Sequence, residues 1–100
     1  MTVNTQKDGT KLTVTVDGKP GISSAPELEK AVKDNLAGIT ELVFDFAGLE
    51  YMASAGLRIL MSSAKVMKKQ GSMRILNVRQ PVMDVFTFTG MADVLDIRPA

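Results

Sequence analysis

The short apolar run "ELVFDF" at residues 41–46 constrains the fold more than any other part of the sequence. Leu42, Val43 and Phe44 follow one another without a polar interruption, and this pattern is typical of a central strand that is covered on both faces. A loop, "AGLEYMA", follows the run and leads into a segment with helical periodicity. These residues therefore predict a buried strand whose end is connected by a loop to a helix.

Strand and helix patterns alternate along the rest of the chain. The segment "KLTVTV" at residues 11–16 alternates apolar and polar side chains, which predicts a half-buried strand. Asp8-Gly9 is a hairpin turn signal, so residues 3–6 are expected to pair antiparallel with that strand. Apolar residues recur at helical spacing over residues 28–36, and Gly38 is expected to end this helix.

A second helix is predicted from Ser54 to Gln70, and its end is marked by Gly71. "MRILNV" is predicted to be a short buried strand, and a helix is expected to open at Pro81 and close at Gly90. "VLDI" is predicted to form a last short strand. The buried stripe of the second helix is expected to contain Leu57, Leu60, Met61, Ala64 and Met67.

The predicted order of elements, β-β-α-β-α-β-α-β, indicates a single α/β domain over residues 1–100. Strands that alternate with helices imply right-handed crossovers and a mostly parallel sheet, to which the first hairpin adds an antiparallel edge. In open sheets of this kind, function usually lies in the loops that follow the carboxyl ends of the strands. The loop after residues 41–46 is in such a place, and it leads to Ser54.

Composition excludes several kinds of chemistry. The chain contains no Cys and no His, which excludes disulfides, zinc sites with sulfur or imidazole ligands, and histidine acid–base catalysis. The net charge of +1 does not resemble the concentrated basic charge of a nucleic-acid-binding protein. No signal peptide, membrane-spanning run or phosphate-binding loop is recognisable, so we expect a cytoplasmic protein without membrane insertion, metal or cofactor.

Ser54 admits two interpretations. Serine is a favoured N-cap residue at the start of a helix, and the hydroxyl would then only accept a bond from a nearby N–H group. Alternatively, Ser54 is a modification or contact site, because Ala53, Ala55 and Gly56 leave the helix start open and helix N-termini favour phosphate. A catalytic serine is disfavoured, because no base is available and no Gly-x-Ser-x-Gly motif is present.

Two charged residues near Ser54 also have alternative interpretations. Asp45 ends the apolar strand, and it either contributes to a site at the sheet's end or caps loop N–H groups there. Arg58 follows Ser54 by four residues and can share its helix face. Arg58 would either hold a phosphoryl group or a partner's carboxylate, or be an ordinary surface arginine.

The segment "LVFDFAGLEYMASAGLRIL" resembles the STAS domain family, and within it the single-domain anti-sigma factor antagonists of bacteria. The resemblance extends over essentially the whole chain, including "VDGKPGISSAPELEKAV" in the first half. The matching positions are an aspartate at the strand end, small and apolar loop residues, and the residues that open the helix. They are Asp45, Gly48, Leu49, Tyr51, Met52, Ser54, Ala55, Gly56 and Leu57.

The resemblance implies a regulatory switch rather than an enzyme. Such proteins bind an anti-sigma factor that is also a serine kinase of the histidine-kinase-like ATPase fold, and a metal-dependent phosphatase reverses the phosphorylation. The phosphorylated residue would be Ser54, and Asp45 would support the site. The implied partner-binding residues are Gly21, Ser23, Ala53, Ser54, Ala55, Gly56, Arg58 and Ser62.

The sequence departs from the family pattern at two positions. Family members often have Asp immediately before the serine and another in the turn after the second strand, where this chain has Ala53 and Gly21. These differences bear on kinase recognition and phosphorylation, and they leave the fold untouched. An alternative function is therefore a non-switching STAS subunit that binds a transporter ATPase in lipid trafficking or a signalling scaffold.

Overall fold

The computed structural model describes residues 2–18 and 24–100, and its strands and helices follow the predicted order. A short 3-10 helix precedes the last strand. The elements are β1 (Thr2–Asp8), β2 (Lys11–Asp17), α1 (Ser24–Lys33), β3 (Glu41–Asp45), α2 (Ser54–Gln70), β4 (Ser72–Val78), α3 (Gln80–Thr89), the 3-10 helix (Met91–Asp93) and β5 (Ile97–Pro99).

The five strands form one mixed sheet in the order β1-β2-β3-β4-β5. The first pair is antiparallel and the other three pairs are parallel, which confirms the predicted α/β architecture. A two-residue turn at Gly9 and Thr10 closes the hairpin, and Asp8 lies opposite Lys11. Gly9 has a φ of 62°, a left-handed conformation that glycine adopts without steric cost.

The core lies on one face of the sheet. Right-handed crossovers in this strand order place α1, α2 and α3 on the same face. Leu42 and Phe44 of β3 belong to the core cluster, but Val43 does not, although it is only 5% exposed. Leu42, Val43 and Phe44 are all buried, which confirms the prediction of a strand covered on both faces, although the helices lie on only one of them. In the strand register, Val43 lies between Thr13 and Arg74, whose side chains are on the same face of the sheet.

The predicted bounds of α2 are confirmed, but its buried stripe is rotated relative to the prediction. Met61 is 36% exposed, whereas Ile59 and Ser63 are buried. The Ser63 hydroxyl donates a hydrogen bond to Ile59 O over 2.8 Å, and this bond allows a polar residue to face the core. The buried face of α2 is therefore shifted by about one residue from the face that the apolar and polar periodicity of the sequence predicts.

Two other boundaries differ from the predictions. α1 ends at Lys33, so the helix stops well before Gly38, which lies in a turn. The last strand does not include Val94 or Leu95, because their N–H groups donate to Met91 O and continue the 3-10 turn. None of the helices in the described parts of the chain has the length and apolarity that a bilayer crossing requires.

Candidate functional site

The loop between β3 and α2 is anchored first to the end of β2. Gly18 N–H donates to Gly48 O over 2.7 Å, and Glu50 N–H donates to Gly18 O over 2.9 Å. Leu49 thereby forms a parallel bridge with Gly18. Gly48 allows this close approach, because a Cβ atom on it would collide with the Asp17 carboxylate. The first half of the loop is thus held as an extension of the sheet.

The same loop is anchored on its other side to the end of β4. Asp45 Oδ1 accepts hydrogen bonds from Ala47 N–H and from Asn77 Nδ2, each over 3.1 Å. Arg79 Nε donates to Ala47 O over 2.7 Å. The alternative in which Asp45 binds loop N–H groups therefore matches the geometry. The loop that leads to Ser54 is fixed by contacts from three neighbouring strands.

Asn77 and Arg79 were not identified in the sequence. Asn77 has a φ of 59°, and the register between β4 and β5 is irregular around it. Asparagine tolerates the left-handed region better than most residues, so an Asn near a strand end is the available sequence signal. The bulge turns its side chain toward Asp45, a residue 32 positions earlier in the chain.

The second half of the loop packs beneath the start of α2. Met52 is buried, and a Cβ atom added to Gly56 would lie 2.5 Å from Met52 Sδ. Gly56 therefore leaves room for the methionine side chain. Tyr51 is 54% exposed, so it remains available beside the buried anchor.

The prediction that Ser54 is the helix N-cap is wrong. Ala53 is the N-cap residue, with extended backbone angles (φ −89°, ψ 160°), and it makes no side-chain capping bond because alanine has no acceptor. Ser54 is the first helical residue and is exposed. Its hydroxyl makes no hydrogen bond with residues 2–18 or 24–100. The first helical carbonyl bonds run from Gly56 N–H and Leu57 N–H to Ala53 O.

A ridge of exposed polar side chains continues from Ser54 along α2. Ser54, Arg58 and Ser62 are spaced four residues apart and are all exposed, so they share one helix face. Ala55 lies beside this ridge and is half-buried. Arg58 forms no salt bridge within the described residues. Of the predicted partner-binding positions, Gly21 and Ser23 lie outside the described residues.

A groove of about 460 Å³ separates α1 from α2 beside this ridge. Arg58 and Ser62 form its rim on α2, while Glu29 and Lys33 form its rim on α1. Lys33 Nζ lies 2.7 Å from Glu29 Oε1, and this hydrogen bond, together with the charge of Glu29, raises the pKa of Lys33. The apolar lining includes Val32, Leu36, Ile59 and Val66.

The charges of the groove are unevenly balanced. Glu29 and Lys33 neutralise one another on the α1 rim, whereas the Arg58 guanidinium on the α2 rim has no such counterion among the described residues. Within those residues, no group of three or more acidic side chains is arranged to hold a metal ion. The arrangement suits recognition of an apolar side chain with a carboxylate beside it.

Comparisons with known proteins agree with this architecture. Residues 3–97 match a family model described as "Mlab, STAS domain". The anti-sigma-B factor antagonist of Bacillus subtilis (strain 168) is 27% identical over 96 residues, which cover 95% of this chain and 88% of that protein.

Solved structures share the fold. An anti-sigma factor antagonist from Mycobacterium paratuberculosis superposes with a TM-score of 0.85 at 22% identity, covering 99% of this chain and 86% of that one. SpoIIAA in its unphosphorylated form gives a TM-score of 0.84 at 15% identity, with 96% and 87% covered. The phosphorylated form of the Bacillus cell fate determinant SpoIIAA gives 0.72 at 13% identity, with 96% and 90% covered.

Proposed function

Because the chain belongs to the STAS domain family, we propose that it is an anti-sigma factor antagonist that is switched by phosphorylation of Ser54. In this proposal, the unmodified protein binds an anti-sigma factor that is also a serine kinase, and the phosphorylated protein does not. The observation that carries the proposal is the Ser54 hydroxyl, which is exposed at the end of a loop anchored on both sides and makes no hydrogen bond with any described residue. The Bacillus subtilis relative is named an anti-sigma-B factor antagonist.

The surface around Ser54 has the chemistry of a protein interface. Tyr51 and Met61 are exposed beside the polar ridge, and Arg58 forms no salt bridge with the residues that the structure describes. Tyrosine and arginine are the side chains that most often dominate binding energy at interfaces. Ala53 and Ala55 are small, so a partner can approach the start of α2 closely.

Phosphorylation would weaken the complex without unfolding the protein. A phosphoserine carries about −1.5 to −2 charges at neutral pH. At the first turn of a helix this charge is favoured by about 0.3–1 kcal/mol, because the N–H groups and the dipole attract anions. Arg58, one turn further along the same face, can pair with the phosphate. In an interface that buries a neutral hydroxyl, the added charge would instead cost binding energy.

The chain itself would act by binding, and the chemistry would belong to its partners. A nucleophilic serine needs a base, and within the described residues Ser54 has no hydrogen-bonding partner that would serve as one. The kinase would supply ATP and a separate phosphatase would remove the phosphate. We place this exchange in the cytoplasm, where ATP is available to the kinase.

The proposal is tested by incubating the protein with its cognate kinase and ATP and recording the intact mass. We expect one added phosphate on the wild type, none on Ser54→Ala, and one on Ser62→Ala, which removes an exposed hydroxyl from the same ridge. Binding of the kinase should be weakened by Ser54→Asp and by Arg58→Ala. An unmodified wild type, or a phosphate that persists on Ser54→Ala, would contradict the switch.

A second candidate is a STAS subunit that binds a transporter ATPase or a signalling scaffold without turnover. The observation that favours it is Ala53, which leaves the first turn of α2 without a carboxylate or a side-chain capping bond. In that case Ser54 and Arg58 would contact the partner permanently, without a cycle of phosphorylation. The two functions are distinguished by Ala53→Asp: a switch protein should become a better kinase substrate, whereas a constitutive subunit should stay unphosphorylated.

A further inference from the structure

The two edge strands of the sheet, β1 and β5, differ in how well they are protected from pairing with a strand of another chain. β5 spans only Ile97–Pro99, ends in a proline and is joined to β4 with an irregular register. An edge strand is less able to pair with another chain when it is short, contains proline or has irregular pairing within its own sheet. β1 is seven residues long, contains no proline, and all of its residues except Val3 are exposed. Its outer edge is therefore the open pairing edge of the described sheet.

The hairpin geometry identifies which groups of β1 face outward. Asp8 and Lys11 flank the two-residue turn, so they exchange main-chain hydrogen bonds. Hydrogen-bonded and non-hydrogen-bonded pairs alternate along an antiparallel ladder. The N–H and C=O groups of Val3, Thr5 and Lys7 consequently point away from β2.

We propose that β1 pairs antiparallel with β1 of a second copy of this chain, about a two-fold axis at Thr5. In this register Thr5 lies opposite Thr5 of the partner copy, and Val3 lies opposite Lys7. Every outward N–H and C=O group of these three residues then forms a main-chain hydrogen bond with the other copy. If one strand is shifted by two residues in either direction, one of the three residues on each strand has no residue of the partner strand to pair with. Pairing of all three residues therefore favours the register centred on Thr5.

The side chains of β1 are compatible with the same register. Lys7 meets Val3 rather than another lysine, and Asp8 meets Thr2, so no like charges lie directly opposite. Threonine is a favoured strand residue, and a Thr–Thr pair at the axis stabilises such ladders. The two sheets would join into one, with their helices on the same face. α1, not α2, is the helix packed beside β1, so the Ser54 ridges would stay exposed.

The register is tested by disulfide trapping, because the chain has no cysteine of its own. Asn4 and Gln6 lie opposite each other across the proposed axis, in a non-hydrogen-bonded pair whose Cβ atoms are closest. We expect a mixture of the Asn4→Cys and Gln6→Cys proteins to form a cross-linked heterodimer under mild oxidation. Each variant alone should cross-link far less. No preference for the mixture would overturn the proposed register.

The dimer itself is tested by sedimentation equilibrium of the wild type and of two lysine variants. Thr5→Lys places two like charges opposite one another and should raise the dissociation constant about tenfold. Asn4→Lys adds the same charge to the same strand, but it faces Gln6 and should change the constant little. A wild type that stays monomeric at high micromolar concentration, or a dimer that is indifferent to Thr5→Lys, would overturn the proposal. Thermal unfolding of both variants establishes that they remain folded.

Discussion

Asn77 donates a side-chain hydrogen bond to Asp45 from a left-handed backbone conformation, and this contact joins the ends of β4 and β3. The same Asp45 oxygen also accepts the N–H group of Ala47 in the loop that leads to Ser54. A residue in a costly backbone conformation thus contributes to holding the candidate site in place. The contact gives the first of four predictions.

We expect Asn77→Ala to lower the free energy of unfolding by about 2 kcal/mol. Roughly 1 kcal/mol comes from the lost hydrogen bond to Asp45, and about 1 kcal/mol more because alanine tolerates the left-handed conformation less well than asparagine does. Asn77→Gly should be less destabilising, because glycine adopts this φ freely. Urea denaturation measures both. Equal losses for the two variants would show that backbone strain at this position is unimportant.

Ala53→Asp should stabilise the protein by about 0.5–2 kcal/mol. Ala53 already has the extended backbone of an N-cap residue, so an aspartate there can accept the orphan N–H groups of the first turn. Its charge also interacts favourably with the helix dipole. Ala53→Asn supplies the acceptor without the charge and separates the two contributions. A melting temperature that falls in both variants would refute the assignment of Ala53 as the cap.

Gly71→Ala should destabilise the protein more than Gly56→Ala. A Cβ atom on Gly71 would collide with the main-chain carbonyl of Thr40, which is fixed because it also accepts Ser72 N–H. Overpacking of this kind costs about 1–3 kcal/mol. At Gly56 the obstacle is Met52 Sδ, near the end of a flexible side chain, and alanine gains about 1 kcal/mol of helix propensity. Chemical denaturation ranks the two variants, and the reverse order would contradict this account.

Gln70→Met should cost about 1–3 kcal/mol, because Gln70 Nε2 donates to both Leu36 O and Ile39 O, over 2.9 and 2.6 Å. Without these bonds, two part-buried carbonyl groups lose their side-chain donor. Gln80→Met is a matched control, since within the described residues the Gln80 side chain bonds only the exposed Asp84 carboxylate. The control should change stability by less than about 0.5 kcal/mol. Similar losses in the two variants would exclude a special role for Gln70.

The sequence predicted the fold well because its strongest signals are local. The α2 bounds follow from the helical periodicity and from Gly71, and the hairpin follows from alternation and a turn signal. Contacts between distant residues were not predictable in this way. Arg79 reaches Ala47 across 32 residues of sequence, and no local spacing marks that pair.

In part of the site, residue type is a poor guide to backbone position. Serine is a favoured cap residue, but the backbone angles make Ala53 the N-cap and Ser54 the first helical residue. Likewise, the predicted buried stripe of α2 does not include Ser63, although its side chain is buried and its hydroxyl donates to Ile59 O. Hydrophobicity alone does not predict the burial of a polar side chain that hydrogen-bonds to the backbone of its own helix.

The link between Asp45 and Asn77 has a consequence for synthesis of the protein. The strands enter the sheet in the order in which a ribosome would release them, so each new strand adds to the edge that the previous one created. Ser54 is translated before Asn77 and Arg79, whose side chains complete the anchoring of its loop. A nascent chain therefore contains the serine before the contacts that anchor its loop can form, and we expect a partner that recognises the completed surface to bind incomplete chains weakly. Binding measured on stalled chains that end before and after β4 would display this order.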